Sequence, residues 1–301
     1  MPELPEVLLY MHALEPRVVG RTLEHVRVRS PSLLRTYDPP LSATFGRRVI
    51  ALRRIGKRIV LDVGDELFVS IHLMIAGRFR WSDAAGAAIP GKVGLAAFDF
   101  DTPGTLLLVE AATKKRAALH VVRGEAGLAE LDRGGVDPLA ISPAEFARAL
   151  TRENHTVKRA LTDPRLLSGI GNAHSDEILW RARLSPFRRT RQLSDDEMAT
   201  LYHEAQTSLR EWIDRLRTEA GDRFPAKVTA FHPAMAVHGK FREPCPRCGT
   251  PIQRIVHGEH ETNYCAECQT EGKLLKDRAL SRLLGDDWPK TVEELEEGFA
   301  K

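Results

Sequence analysis

The chain has 301 residues but no uninterrupted apolar run near the roughly 18 residues that a membrane span requires, which sets a membrane protein aside. Its four cysteines are too few for a disulfide framework at this length. The opening Met1-Pro2-Glu3-Leu4-Pro5-Glu6 is acidic where a signal peptide would be basic, so export is not expected. There is no internal repeat and no low-complexity tract. Apolar content of 43% with 28% charged residues is ordinary globular composition. The expectation is a soluble cytoplasmic protein, nucleoid-associated if bacterial, without a membrane partner and monomeric. The length suggests two domains.

Net charge is also scarce, at +3, but its distribution is uneven. Residues 1–60 hold 11 basic and 5 acidic side chains, whereas residues 271–301 hold 6 and 8. Basic residues cluster at Arg47-Arg48, Arg53-Arg54 with Lys57-Arg58, Lys114-Lys115-Arg116, Lys158-Arg159 and Arg188-Arg189 with Arg191. Any one pair reads as solubilising surface. Together they could line a phosphate-binding groove only if folding unites them.

Residues 5–15 read as a helix, with Pro5 in the first turn, Glu6 on the positive end of the dipole and Pro16 just past the end. From about 20 to 125 the pattern changes to short alternating runs: Val26–Val28, Arg48–Leu52, Ile59–Val63, Leu67–His72, Arg78–Trp81, Leu95–Phe100 and Thr105–Val109. Turn residues punctuate them, which predicts an antiparallel sandwich or barrel. After about 140 the character is helical. Ser142-Pro143-Ala144-Glu145 forms a capping-box start, and a long helix runs from Ser194 to about Leu216 or Glu219. The expected divisions are 1–132, 138–240, 241–270 and 271–301, an α+β multidomain chain.

Cys245-x-x-Cys248, sixteen intervening residues and Cys265-x-x-Cys268 can supply four thiolates to one tetrahedral Zn²⁺. The runs Ile252–His257 and His260–Tyr264, turning at Gly258-Glu259, make a zinc-ribbon hairpin. Four thiolates leave no open position, so the zinc is structural. Ahead of it, Leu166-Leu167-Ser168-Gly169-Ile170-Gly171-Asn172 leads into a helix from Ala173 to about Arg183. Such a turn, with Gly171 exposing backbone N–H groups and Asn172 as cap, suits a phosphate. Lys158 could reach the same phosphate; the bland alternative is a plain helical hairpin.

These motifs together resemble the Fpg/Nei family of bifunctional helix–two-turn–helix (H2TH) DNA glycosylases. Pro2-Glu3-Leu4-Pro5-Glu6-Val7 matches its opening signature. Gly169-Ile170-Gly171-Asn172 with Asp176-Glu177-Ile178-Leu179 matches its helix–two-turn–helix, and Pro244-Cys245 through Cys268-Gln269 its zinc finger. The resemblance implies an N-terminal β-sandwich with the catalytic helix at its edge, DNA in a cleft, and double-stranded DNA bearing a damaged base or abasic site as partner. By resemblance, Pro2 attacks C1′ as a Schiff-base nucleophile and Glu3 is the general acid–base. Lys57 contacts phosphate and assists elimination, or is a solvated turn lysine. Glu6 supports the site or serves as helix charge.

Three departures stand out. His260 occupies the place of the family's phosphate-clamping arginine, where it either replaces the arginine weakly, is compensated by Arg254, or leaves δ-elimination impaired. Ile75, with Met74 beside it, falls at the intercalating-wedge position, or both are strand core. The loop of Lys114, Lys115 and Arg116 replaces one with an aromatic residue, and residues 221–238 are short for a purine-reading loop. These features lean towards oxidised pyrimidines, with the abasic site as the substrate common to every reading. The rival readings are a non-catalytic damaged-DNA-binding protein, and an AP lyase or cross-link-unhooking enzyme with little glycosylase activity.

Overall fold

A computed structural model describes residues 1–258, 260–276 and 289–299. The chain divides into two compact units, 1–134 with 210–230, and 135–209 with 231–301.

The first unit begins with α1 (Leu4–Val18). The helix runs past Pro16, correcting the expected end, because buried Leu14 and Val18 hold its last turn and Val19 N–H still reaches Glu15 O at 3.1 Å. Nine strands follow: β1 (Thr22–Val28), β2 (Arg47–Arg48), β3 (Ala51–Ile55), β4 (Arg58–Asp62), β5 (Leu67–His72), β6 (Gly77–Ser82), β7 (Gly94–Phe100), β8 (Thr105–Glu110) and β9 (Ala118–Arg123). They form two antiparallel sheets, ordered β2-β1-β7-β8-β6 and β3-β4-β5-β9. The run expected as one strand from Arg48 to Leu52 is two, because the chain passes from one sheet to the other at Val49-Ile50. Strand β9 was not among the sequence candidates, although its Ala118, Leu119, Val121 and Val122 are buried. Helix α2 (Gly124–Ala129) follows it and sets Leu128 against Val60, Phe68 and Val122.

The second unit carries α3 (Pro143–Thr151), α4 (Val157–Thr162) and α5 (Asn172–Arg181). The Ser142 capping box is formed, with Glu145 N–H on Ser142 Oγ and Ser142 N–H on Glu145 Oε2. Helix α6 (Asp195–Ala220) is cut by the division at 209/210, so the long helix serves both units. The hairpin is β10 (Gln253–His257) and β11 (His260–Tyr264), followed by α7 (Ala266–Thr270) and α8 (Val292–Phe299). No described helix is long and apolar enough to cross a membrane.

Candidate active site and nucleic-acid interface

Proline early in α1 leaves the helix start to be capped by Glu3 and Glu6. Glu3 N–H donates to Glu6 Oε2 at 2.8 Å, and the Glu3 carboxylate accepts the Glu6 backbone N–H. Both carboxylates are buried, at 2% and 1% exposure, so Glu6 is a cap as well as a first-turn charge. Because α1 packs on β3 and β4, the turn joining those strands comes beside this cap. Lys57 sits in that turn. Burial pushes its ammonium below the usual lysine value, while Glu3 and Glu6 pull it back up. The Met1 amine is also lowered, chiefly by burial. Pro2, Glu3, Glu6 and Lys57 therefore lie in one partly desolvated, oppositely charged group.

Two loops leave the sandwich side by side. His72 of β5 pairs with Ala118 of β9, and Gly77 of β6 pairs with Glu110 of β8. The β5–β6 turn and the 111–117 loop thus emerge from the same strand ends. In the turn, Met74 has φ +54° and donates its N–H to His72 Nδ1 at 3.0 Å. Arg78 Nη1 donates to Ile75 O and Gly77 O at 3.1 and 2.7 Å. Glycine is required at 77, where a Cβ would lie 2.2 Å from Leu73 O. Ile75 is 49% exposed on this braced turn, which closes the strand-core alternative for Met74 and Ile75. In the loop, the buried Glu110 carboxylate accepts N–H groups of Arg116 at 2.9 Å and Ala117 at 3.1 Å, while Lys115 Nζ donates to Glu110 O.

In the second unit, Gly169 has φ +104° in the turn before α5, a conformation glycine adopts without strain. Gly171 is the N-cap and Asn172 the first helical residue, so Asn172 does not cap the helix as expected. Its side-chain amide donates instead to Glu261 O of β11, tying the turn to the hairpin. Lys158 does reach the turn, but its ammonium is buried there. It donates to Asn172 O at 3.0 Å, Ser175 Oγ at 3.1 Å and Asp176 Oδ1. Its charge is already matched by a carboxylate, so it orders the turn from beneath instead of offering an open cation. Asp176 also accepts from His238 Nδ1 and Asn263 N–H, and Glu177 accepts the N–H groups of Ala236, Val237 and His238 at 2.8–3.0 Å.

The four cysteine sulfurs lie within 4.8 Å of one another, with Cys248–Cys265 at 3.4 Å and Cys245–Cys268 at 4.0 Å. Tetrahedral Zn–S bonds of about 2.3 Å imply sulfur separations of roughly 3.8 Å, so the group fits one zinc. Trp180 Nε1 donates to Cys245 Sγ at 3.3 Å, and Arg247 covers the Trp180 ring at 4.2 Å. The chain holds one structural zinc here. Arg254 lies over Phe241 at 4.3 Å and 3.8 Å from Glu261, so it is already engaged. His260 opens β11 opposite His257; its side chain, like Glu259, lies outside the described residues.

Sequence reasoning gave no role to Arg78, Glu110, Glu177 or Asp176, the partner of Lys158.

Residues 1–117 match the family described as Formamidopyrimidine-DNA glycosylase N-terminal domain, 135–221 its H2TH domain, and 242–270 the zinc finger found in FPG and IleRS. Residues 271–301 lie beyond all three. The chain is 34% identical over 278 residues to a formamidopyrimidine-DNA glycosylase of Heliobacterium modesticaldum, covering 89% of this chain and all of the relative. It is 33% identical over 283 residues to that of Geobacillus kaustophilus, with the same coverage. Among solved structures, the MutM (Fpg) protein of Thermus thermophilus is 32% identical with a TM-score of 0.75, over 89% of this chain and 98% of that one. MutM in complex with DNA containing carbocyclic 8-oxo-G gives 25% identity and 0.78, over 89% and 100%.

Proposed function

Because the chain belongs to the formamidopyrimidine-DNA glycosylase family, we propose that it excises damaged bases from duplex DNA and cleaves abasic sites with the Pro2 amine as nucleophile. The observation that carries this reading is the buried Glu3–Glu6 cap at the head of α1, with Lys57 in its field. Removal of Met1 exposes a secondary amine whose reference pKa is about 7.7–8.0. The Met1 amine of the intact chain is lowered chiefly by burial, and the neutral form of an amine in this desolvated place is the nucleophile the reaction uses. The nitrogen lone pair forms a bond to C1′ as the bond from C1′ to the base breaks. Glu3 donates a proton to the ring oxygen, C1′–O4′ opens, and loss of a C2′ proton expels the 3′ phosphate. The target nucleotide must leave the stack first, and Ile75 on its braced turn is the apolar wedge that fills the gap.

Asn172 and the Gly169–Gly171 turn take phosphate, with Lys158 positioning them. Lys115 and Arg116 flank the wedge as cations. With Arg254 engaged and histidine at 260, cleavage stops predominantly at β-elimination. The loop of Lys114–Arg116, without an aromatic residue, favours oxidised pyrimidines and abasic sites over 8-oxoguanine. The protein works as a monomer in the cytoplasm.

Borohydride trapping on an abasic-site duplex tests the chemistry. A covalent adduct that vanishes in Pro2→Gly, or when Met1 is retained, is expected. Binding without any adduct from the wild type would establish the non-catalytic reading instead. A panel of lesion duplexes then separates glycosylase from lyase activity.

A further inference from the structure

Around β4, β5 and β9 lies a group of cations that no acid among the described residues neutralises. Arg58 opens β4 directly after Lys57, and the register sets it opposite His72. His120 of β9 pairs with Ser70, two residues before His72, so Arg58, His72 and His120 share one face of the sheet. Arg58 Nη1 approaches His120 Nδ1 at 3.5 Å. Arg35 is fastened alongside, its N–H on Leu119 O at 2.9 Å and its neighbour Thr36 accepting Val121 N–H at 2.7 Å. Among the described residues no carboxylate forms an ion pair with Arg58, Arg35 or Arg133. Elsewhere in the same unit Arg27, Arg47 and Arg53 have Asp99, Asp65 and Glu125.

Such a group is unfavourable by itself. Burial lowers the Arg58 guanidinium and Arg133 lowers it further. His120 falls to about 4, first through burial and then through Arg58 and Arg35. Neutral His120, accepting from Arg58 at Nδ1, carries its proton at Nε2 and keeps that donor available. A guanidinium beside an imidazole N–H is the donor set of a phosphate oxygen. Because Arg58 follows Lys57, the phosphate belongs to the strand that reaches Pro2.

We propose that Arg58, His120 and Arg35 form a second phosphate site, taking a backbone phosphodiester of the DNA strand whose sugar reacts at Pro2. The assignment rests on the function proposed above, and it explains why this part of the sheet lacks acids. It also makes the strand's approach to Lys57 a two-point contact.

The test measures binding of the full chain to an abasic-site duplex across a salt series. Arg58→Ala with His120→Ala should weaken binding about tenfold or more, for damaged and undamaged duplex alike. It should also flatten the slope of log K against log salt by about 0.9 per lost phosphate. Arg58→Lys should recover part of the affinity. Replacing single phosphates with methylphosphonate should find one position whose loss costs the wild type affinity and costs the double variant nothing more. Arg35→Ala, at an exposed side chain, gives a smaller loss in the same direction without touching the core. Wild-type affinity and slope in these variants would overturn the site. A wild type that forms no adduct would overturn the enzymatic reading alone, since the salt slope still decides this one.

Discussion

His72 is held neutral to about pH 4, against an ordinary imidazole value of 6.5, first by burial and then by Arg58, Lys57 and His120. Its Nδ1 accepts the Met74 N–H, so protonation would also disturb the β5–β6 turn. The folded pKa is depressed. As pH falls through 6.5 the unfolded chain takes up a proton that the folded chain refuses, and stability declines until about pH 4, below which the contribution levels off. Urea midpoints measured from pH 7 to pH 4 should therefore fall, and less steeply in His72→Gln; an unaltered slope would show that His72 is not the titrating group. Lys57 obeys the same balance at higher pH. Desolvation favours its neutral form, and Glu3 and Glu6 offset part of that effect.

At the scale of elements, the 111–117 loop depends on one buried carboxylate. Glu110, 1% exposed at the end of β8, accepts the Arg116 and Ala117 N–H groups and fixes the basic loop beside the Ile75 turn. Glu110→Gln keeps the shape but removes the charge and one acceptor. A hydrogen bond to a charged group is worth about 1.5–3 kcal/mol, so the loop should loosen by a comparable amount. Hydrogen exchange at Arg116 and Ala117 should accelerate by roughly tenfold or more while the strands stay protected; equal protection in both proteins would remove Glu110 from this role. The sequence announced α1, the Ser142 cap and most strands because caps and alternation are local signals. It was silent about β9 and Glu110. The carboxylate acts on N–H groups six and seven residues onward, across a loop whose path local pattern does not specify.

For the molecule as a whole, the zinc hairpin is held from more than one side. The Asn172 and Asp176 contacts join it to the turn and helix α5. The segment beyond residue 270 packs against Ile255 and Tyr264 through Val292, Leu274 and Leu275. Leu275 N–H donates to the Tyr264 hydroxyl at 2.8 Å, and burial pushes that hydroxyl up to about 12. Leu274 N–H donates to Lys290 O at 2.8 Å. Removal of zinc by a chelator should abolish DNA binding, because four thiolates set the hairpin to which Asn172 is tied; unchanged affinity in the chelated protein would refute that role. Val292→Asp, which places a charge in the apolar cluster, should release zinc to a chelator severalfold faster. Release at the wild-type rate would show that the extension does not support the hairpin.

The sequence by itself determined the zinc ligands, the helix start at Pro5 and the family, because each is written in short motifs along the chain. It also showed that a net charge of +3 conceals a basic first sixty residues. Tertiary structure alone decided which cations remain open. Lys158, read as a phosphate ligand, is matched by Asp176, eighteen residues away. Arg58, read as one member of a basic run, is brought to His120 across 62 residues and given no acid among the described residues. Charge is counted along the chain, but its neutralisation depends on distance in space, and only the folded sheet sets that distance.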